Sequence, residues 1–211
     1  MPALRSLPAG RRIGLLGGSF NPAHGGHLYI SERALERLRL DEVWWLVSPQ
    51  NPLKPATGMA PFQARLAAAR KFITDPRIKA TDIEQRLGTR YAVDTLESLF
   101  AEFPDDRFVW IMGADNLIQA HRWKDWRRMF RMLPIAVFAR PSYCLRALTA
   151  KAARHFAKAR VRASRAGGLV VMKPPAWVFV RERLHTASAT QIRARGEIRE
   201  YGQTELRRSK P

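Results

Sequence analysis

The chain has 211 residues, 46% hydrophobic and 26% charged, with a single cysteine, Cys144. That balance supports a packed core and excludes a fully disordered chain, and one cysteine excludes an intrachain disulfide or a cysteine-built zinc site. No apolar run approaches the roughly 20 residues of a membrane helix, and the run Ile13–Leu16 behind a three-arginine start is too short for a signal-peptide core, so the cytoplasm is the expected compartment.

Charge is unevenly spread. Thirty-seven Lys and Arg against 18 Asp and Glu give a formal net charge of +19. Residues 1–106 carry 14 basic and 12 acidic residues, net +2, and residues 107–211 carry 23 and 6, net +17, with no acid between Asp125 and Glu182. A basic half meets something anionic or is solvated. Nucleic acid, nucleotide phosphates and acidic lipid are the candidates, against the plainer reading that arginine has replaced neutral surface residues.

In chain order, Ile13–Gly17 reads as a short buried strand ending in glycines. His27–Leu40 has helical periodicity, with Leu28, Ala34, Leu35 and Leu38 on one side. Val43–Val47 is a second strand, and Ser48–Pro61, with four prolines and a glycine, a loop. Phe62–Ile73 predicts a helix, Ile78–Ile83 a third strand, Ala92–Phe103 a helix and Phe108–Met112 a strand running into Gly113-Ala-Asp115. Trp126–Leu133 is helical and Ile135–Phe138 a strand; Leu145–Ala163 reads as one strongly basic helix. Trp177–Val180 is the last strand and Ala189–Arg199 the last helix. Residues 1–12 and 200–211 read as basic extensions of one domain spanning 13–199.

Strands alternating with helices predict an α/β fold with a parallel sheet covered on both faces. Such sheets bind ligands beyond the carboxyl ends of their strands. Polar, compact segments stand there: Gly17–His27, Ser48–Lys54, Gly113–Asp115 and Thr190–Arg193. In the first, Gly17 and Gly18 admit a close backbone approach, and His24 and His27 are spaced to share one face of an opening helical turn. A helix N-terminus bearing two imidazoles suits phosphate. Two histidines three apart could instead ligate a metal, but no third ligand with suitable spacing is evident. In the last segment, Ser188 and Thr190 can cap a helix, and Arg193 offers a planar double donor.

The stretch Gly17-Gly-Ser-Phe-Asn-Pro-Ala-His-Gly-Gly-His27 closely resembles the G-G-[ST]-F-[DN]-P-x-H-x-G-H signature of nucleotidylyltransferases. With Asn51–Lys54, Arg90–Thr95, Ile111–Asp115 followed by Trp123, Arg140-Pro141 and Ser188–Arg193, the chain is similar to the bacterial nicotinate-nucleotide adenylyltransferases from about Ile13 to Arg193. The resemblance implies a Rossmann-like open parallel sheet of nucleotidylyltransferase type. It implies transfer of AMP from ATP to nicotinate mononucleotide, giving deamido-NAD and pyrophosphate, with Mg²⁺ carried by the ATP phosphates. His24, His27, Lys54 and Arg193 would be the catalytic set. Gly17, Gly18, Ser19 and Phe20 would line the ATP pocket, with Ser19 and Phe20 also facing the mononucleotide. Gly113 and Asp115 would hold the ribose region, and Ser188, Thr190 and Arg193 the β- and γ-phosphates. Asn51, Lys54, Tyr91, Ala92, Thr95 and Arg140 would meet the mononucleotide, and Trp123 would stack on its pyridine ring.

Departures from the family pattern are local. Ala92 lacks the hydroxyl of the usual Thr, Ala187 and Ala189 flank Ser188, Lys124 follows Trp123 where an aromatic residue is frequent, and Ser142 replaces a common Gly. Trp44, Trp45 and Trp110 read as core, Trp126 as helix packing, His121 and His155 as surface, and Asp94 either as a tie for its loop or as a ligand contact. The alternatives keep the fold with nicotinamide mononucleotide or another phosphate acceptor, or make the +17 half a nucleic-acid surface. Nothing in the chain matches a base-reading module, which argues against the latter; a homo-oligomer is compatible with the sequence.

Overall fold

The computed structural model describes residues 10–49, 58–139 and 143–181. Seven strands form one sheet: β1 (Arg12–Gly18), β2 (Glu42–Val47), β3 (Ile78–Thr81), β4 (Arg107–Gly113), β5 (Ile135–Phe138), β6 (Arg160–Val161) and β7 (Trp177–Val180). Their order is β3-β2-β1-β4-β5-β7-β6, and every pair is parallel. The helices are α1 (Gly25–Arg37), α2 (Phe62–Phe72), α3 (Ile83–Arg86), α4 (Ala92–Glu102), α5 (Ala114–Gln119), α6 (Trp126–Met132), α7 (Cys144–Leu148) and α8 (Lys151–His155).

The central strands are apolar on both sides because both sides are covered. Ile13, Leu15, Trp44, Leu46, Phe108, Trp110, Met112, Ile135, Val137, Trp177 and Phe179 enter one core, with Leu96, Leu99, Trp126 and Phe130. Their alternating neighbours Leu16, Val43, Trp45, Val47, Val109, Ile111, Ala136, Phe138, Val178 and Val180 enter the other, with Leu35, Leu66 and Leu169. The expected core tryptophans Trp44, Trp45 and Trp110 are buried, and so is Trp126, expected to pack its helix. The strand order turns back at β1: the chain runs outward through β2 and β3, then crosses to β4 on the other side. The carboxyl ends of β1, β2 and β4 therefore meet at the switch point, where doubly wound sheets place ligands.

Two expectations change. The predicted basic helix 145–163 is broken into α7, α8, a 3-10 turn at Ala157–Ala159, the edge strand β6 and a 3-10 stretch from Ala163. Thr149 Oγ1 accounts for the first break, bonding back to the carbonyls of Leu145 and Arg146. Ala150 is then extended, and the Phe156 carbonyl accepts from Trp177 Nε1 at 2.8 Å and from the Ala159 N–H at 3.0 Å, so the chain there closes a 3-10 turn instead of continuing an α-helix. The strand expected to reach Ile83 stops at Thr81, where α3 takes over. β1 begins at Arg12, and Arg11 and Arg12 pair with Asp106 and Asp41, each at 2.6 Å. No helix among the described residues is long and apolar enough to cross a membrane.

Phe130 stacks on Phe156 (centroids 4.8 Å apart, planes 3° apart) and meets Trp126 edge-on. This cluster seats α6 and α8 on the sheet. Phe130→Ala is expected to lower unfolding free energy by about 3–5 kcal/mol in urea titrations; a loss below about 1 kcal/mol would contradict that packing role.

Candidate active site

The glycines at the end of β1 are there for room. A Cβ on Gly17 would lie 2.9 Å from the Trp110 ring, closer than packed atoms approach. Phe20 has φ +45°, the left-handed region that costs a non-glycine residue energy and collects at functional loops. Its ring, 1% exposed, stacks on Trp45 at 4.8 Å and also meets His27 at 4.7 Å.

α1 starts two residues earlier than periodicity predicts, because His24 is its N-cap. His24 Nδ1 accepts from the Gly26 N–H at 3.1 Å, and His27 Nδ1 accepts from the His24 N–H at 3.2 Å. The two imidazoles thus form a reciprocal capping box in the place of the usual Ser and Glu. Their rings stack with centroids 3.8 Å apart. A ring whose Nδ1 accepts a hydrogen bond carries its proton on Nε2. Both histidines therefore have an Nε2–H donor, at the positive end of a 13-residue helix. That is a donor set for phosphate oxygens.

A second group of side chains gathers at the ends of β4 and α4. Trp123 meets Trp110 edge-on at 6.2 Å, and Trp110 is the ring that lies against Gly17, so Trp123 is coupled to the floor of the histidine loop. Lys124 Nζ bonds both Asp94 oxygens at 3.0 Å and lies 4.8 Å from the Tyr91 ring centroid. It joins the Trp123 turn to the Tyr91–Thr95 segment through Asp94. Gly113 ends β4 and caps α5, whose first turn carries Asp115.

The cytidylyltransferase-like family model matches residues 15–195. The chain belongs to the cytidylyltransferase-like family. It is 54% identical over 187 residues to a probable nicotinate-nucleotide adenylyltransferase of Cereibacter sphaeroides, covering 89% of this chain and 99% of that one. It is 52% identical over 190 residues to a protein of the same name from Parvibaculum lavamentivorans, covering 90% and 94%. Among solved structures, the Plasmodium falciparum nicotinic acid mononucleotide adenylyltransferase complexed with NaAD has the same fold, with TM-score 0.65, 14% identity and coverage of 87% and 83%.

Of the expected site residues, Gly17, Gly18, Ser19, Phe20, His24 and His27 share the histidine loop, Gly113 and Asp115 stand at the end of the neighbouring strand β4, and Tyr91, next to Ala92 at the start of α4, lies beside Lys124, the residue after Trp123. Thr95, expected at the mononucleotide, is fully buried, and its hydroxyl bonds Thr89 at 2.8 Å and the Tyr91 carbonyl at 3.2 Å. It shapes the turn from within and presents no hydroxyl at the surface. Asn51, Lys54, Arg140, Ser188, Thr190 and Arg193 lie outside the described residues.

Three residues that the sequence does not single out hold the surrounding loops or stand buried beside them. Arg65 is 3% exposed and donates to four main-chain carbonyls around the site; a cation on the apolar stripe of Phe62, Leu66 and Ala69 was the available signal. Asn21 bridges the histidine loop to Gly58 and Ala60. Glu84 is 7% exposed, and burial pushes its carboxyl from the ordinary 4.5 up to about 7, against a hydrogen bond with Ser48 that favours the charged form.

The raised Glu84 value has a definite sign. The unfolded carboxyl loses its proton near pH 4.5 while the folded one keeps it to about 7, so the folded state binds more protons in between and stability falls as pH rises through that window. The expected loss is up to about 3 kcal/mol. Glu84→Gln is expected to flatten the wild-type decline between pH 4.5 and 7 in chemical denaturation; parallel pH profiles would contradict it.

Proposed function

We propose that the protein transfers AMP from ATP to nicotinate mononucleotide, giving deamido-NAD and pyrophosphate. The observation that carries the chemistry is the pair of Nδ1-capped imidazoles at the start of α1. The named relatives support the choice of substrate.

In this reaction an oxygen of the mononucleotide phosphate attacks the α-phosphorus of ATP, the bond from that phosphorus to the bridging oxygen breaks, and pyrophosphate leaves. Both reactants are anions, so positioning and electrostatic stabilisation supply most of the catalysis. The Nε2–H groups of His24 and His27 donate to the oxygens that gain charge, and the α1 dipole adds to them. Because the rings are already locked by their caps, little reorganisation accompanies reaction. Trp123 offers an aromatic face for the pyridine ring, held by Trp110 and the Lys124 tie. The gathered donors are N–H groups, which suit phosphate oxygens; a divalent ion entering with ATP would be held by phosphate oxygens and water, and would neutralise part of their charge. The basic second half raises the local concentration of both anionic substrates.

Pyrophosphate release with ATP, Mg²⁺ and either nicotinate or nicotinamide mononucleotide tests the reading. Release with the acid is expected to exceed that with the amide; equal rates would contradict the acid preference, and no release with either would overturn the function. His24→Asn keeps an acceptor where Nδ1 stands and loses the Nε2 donor. It is expected to retain wild-type thermal stability while turnover drops about 10²–10³-fold; near-normal turnover would refute the donor role. Trp123→Ala is expected to weaken mononucleotide binding in calorimetry and leave ATP binding little changed, whereas equal losses would make it a structural tryptophan.

A further inference from the structure

Arg65 is a buried cation whose hydrogen bonds among the described residues all go to carbonyl oxygens. It stands in α2 between Phe62 and Leu66, 3% exposed, with its guanidinium 5.6 Å from the Phe62 ring centroid. Nε donates to the Ala60 carbonyl at 2.9 Å, Nη1 to Ser19 at 2.6 Å and to Ser48 at 2.8 Å, and Nη2 to Pro49 at 2.8 Å. Among the described residues no carboxylate pairs with it. Desolvation lowers its pKa, yet an arginine stays charged at physiological pH. A buried charge without a counterion is costly, and a mere packing role at this position would suit a leucine or methionine.

The four carbonyls belong to three segments. Ser19 is in the histidine loop, Ser48 and Pro49 lead out of β2, and Ala60 leads into α2. Peptide planarity makes the consequence specific. A carbonyl and the N–H that follows it point in opposite directions, so holding the Ser19 oxygen against Arg65 turns the Phe20 N–H away from Arg65. The left-handed Phe20 backbone, φ +45°, is held in part by this bond. Asn21 adds a neutral tie in parallel, from Nδ2 to the Gly58 carbonyl at 3.1 Å and from the Ala60 N–H to Oδ1 at 3.2 Å.

We propose that Arg65 is a positioning residue for the transfer: from behind the histidine loop it aims the Phe20 amide at the triphosphate and sets the spacing between that loop and the β2 and α2 ends. The proposal rests on the adenylyltransferase reading for its kinetic consequence. Its geometric consequence needs only nucleotide binding. Lysine keeps the charge but lacks the planar fork that reaches separated acceptors, so Arg65→Lys is the informative variant, with Arg65→Gln beside it to remove the charge.

In the full-length protein, Arg65→Lys is expected to lower kcat about 10–100-fold with the KM of each substrate within about threefold of wild type. Loss of the folded state alone would instead scale with the unfolded fraction, which thermal melting reports. The Phe20 backbone amide resonance is expected to shift when α,β-methylene-ATP is added to the wild type, and to shift much less in both variants. Normal kcat per folded Arg65→Lys molecule, or the same Phe20 titration in all three proteins, would overturn the proposal. A wild type inactive on both mononucleotides would defeat the functional reading, while the Phe20 titration would still decide the role of Arg65.

Discussion

The site depends on how α1 begins. Two histidines cap each other's backbone through Nδ1, and this does three things at once. It satisfies N–H groups that a helix start leaves without partners, it places both imidazoles in a stacked pair with centroids 3.8 Å apart, and it assigns the remaining ring proton of each to Nε2. Local structure and chemistry are the same hydrogen bonds. Serine at the cap with glutamate three residues on would start a helix equally well, but would offer acceptors where an anion needs donors.

Everything around that junction limits its movement. Gly17 lets the Trp110 ring pass close to β1, and Trp110 in turn abuts Trp123. Lys124 ties the Trp123 turn to α4 through Asp94. Arg65 holds the opposite side through four carbonyls. Exposed ion pairs contribute little stability individually, so the Lys124–Asp94 pair matters more for where Trp123 sits than for keeping the chain folded.

The sheet was readable because its central strands are continuous apolar runs bounded by glycines, prolines or charges; Ile135–Phe138 and Trp177–Val180 fall where patterning places them. The histidine loop was readable because its glycines, its one proline and its histidines recur as a unit in a known signature. Other features depend on tertiary partners. Strand β6 is two residues long, Arg160 and Val161, and pairs only because Trp177 and Val178 lie beside it. In the basic stretch around it, alanines and arginines give high helix propensity and little periodicity, so Thr149 is the one local sign of the break after Leu148. The resemblance places Thr95 at the mononucleotide, and only the fold shows its hydroxyl turned inward to Thr89 and the Tyr91 carbonyl. Arg65 reads as one more arginine in a chain with many, and only the convergence of three segments shows what it does.

The most direct test of this account is the protonation pattern of the His24 and His27 rings, read by nitrogen-15 NMR of ring-labelled protein with and without an ATP analogue. The account predicts unprotonated Nδ1 and protonated Nε2 in both rings before nucleotide is added, with the Nε2–H signals shifting on binding. A proton on Nδ1 of either ring in the unliganded protein, or Nε2 signals indifferent to nucleotide, would contradict it.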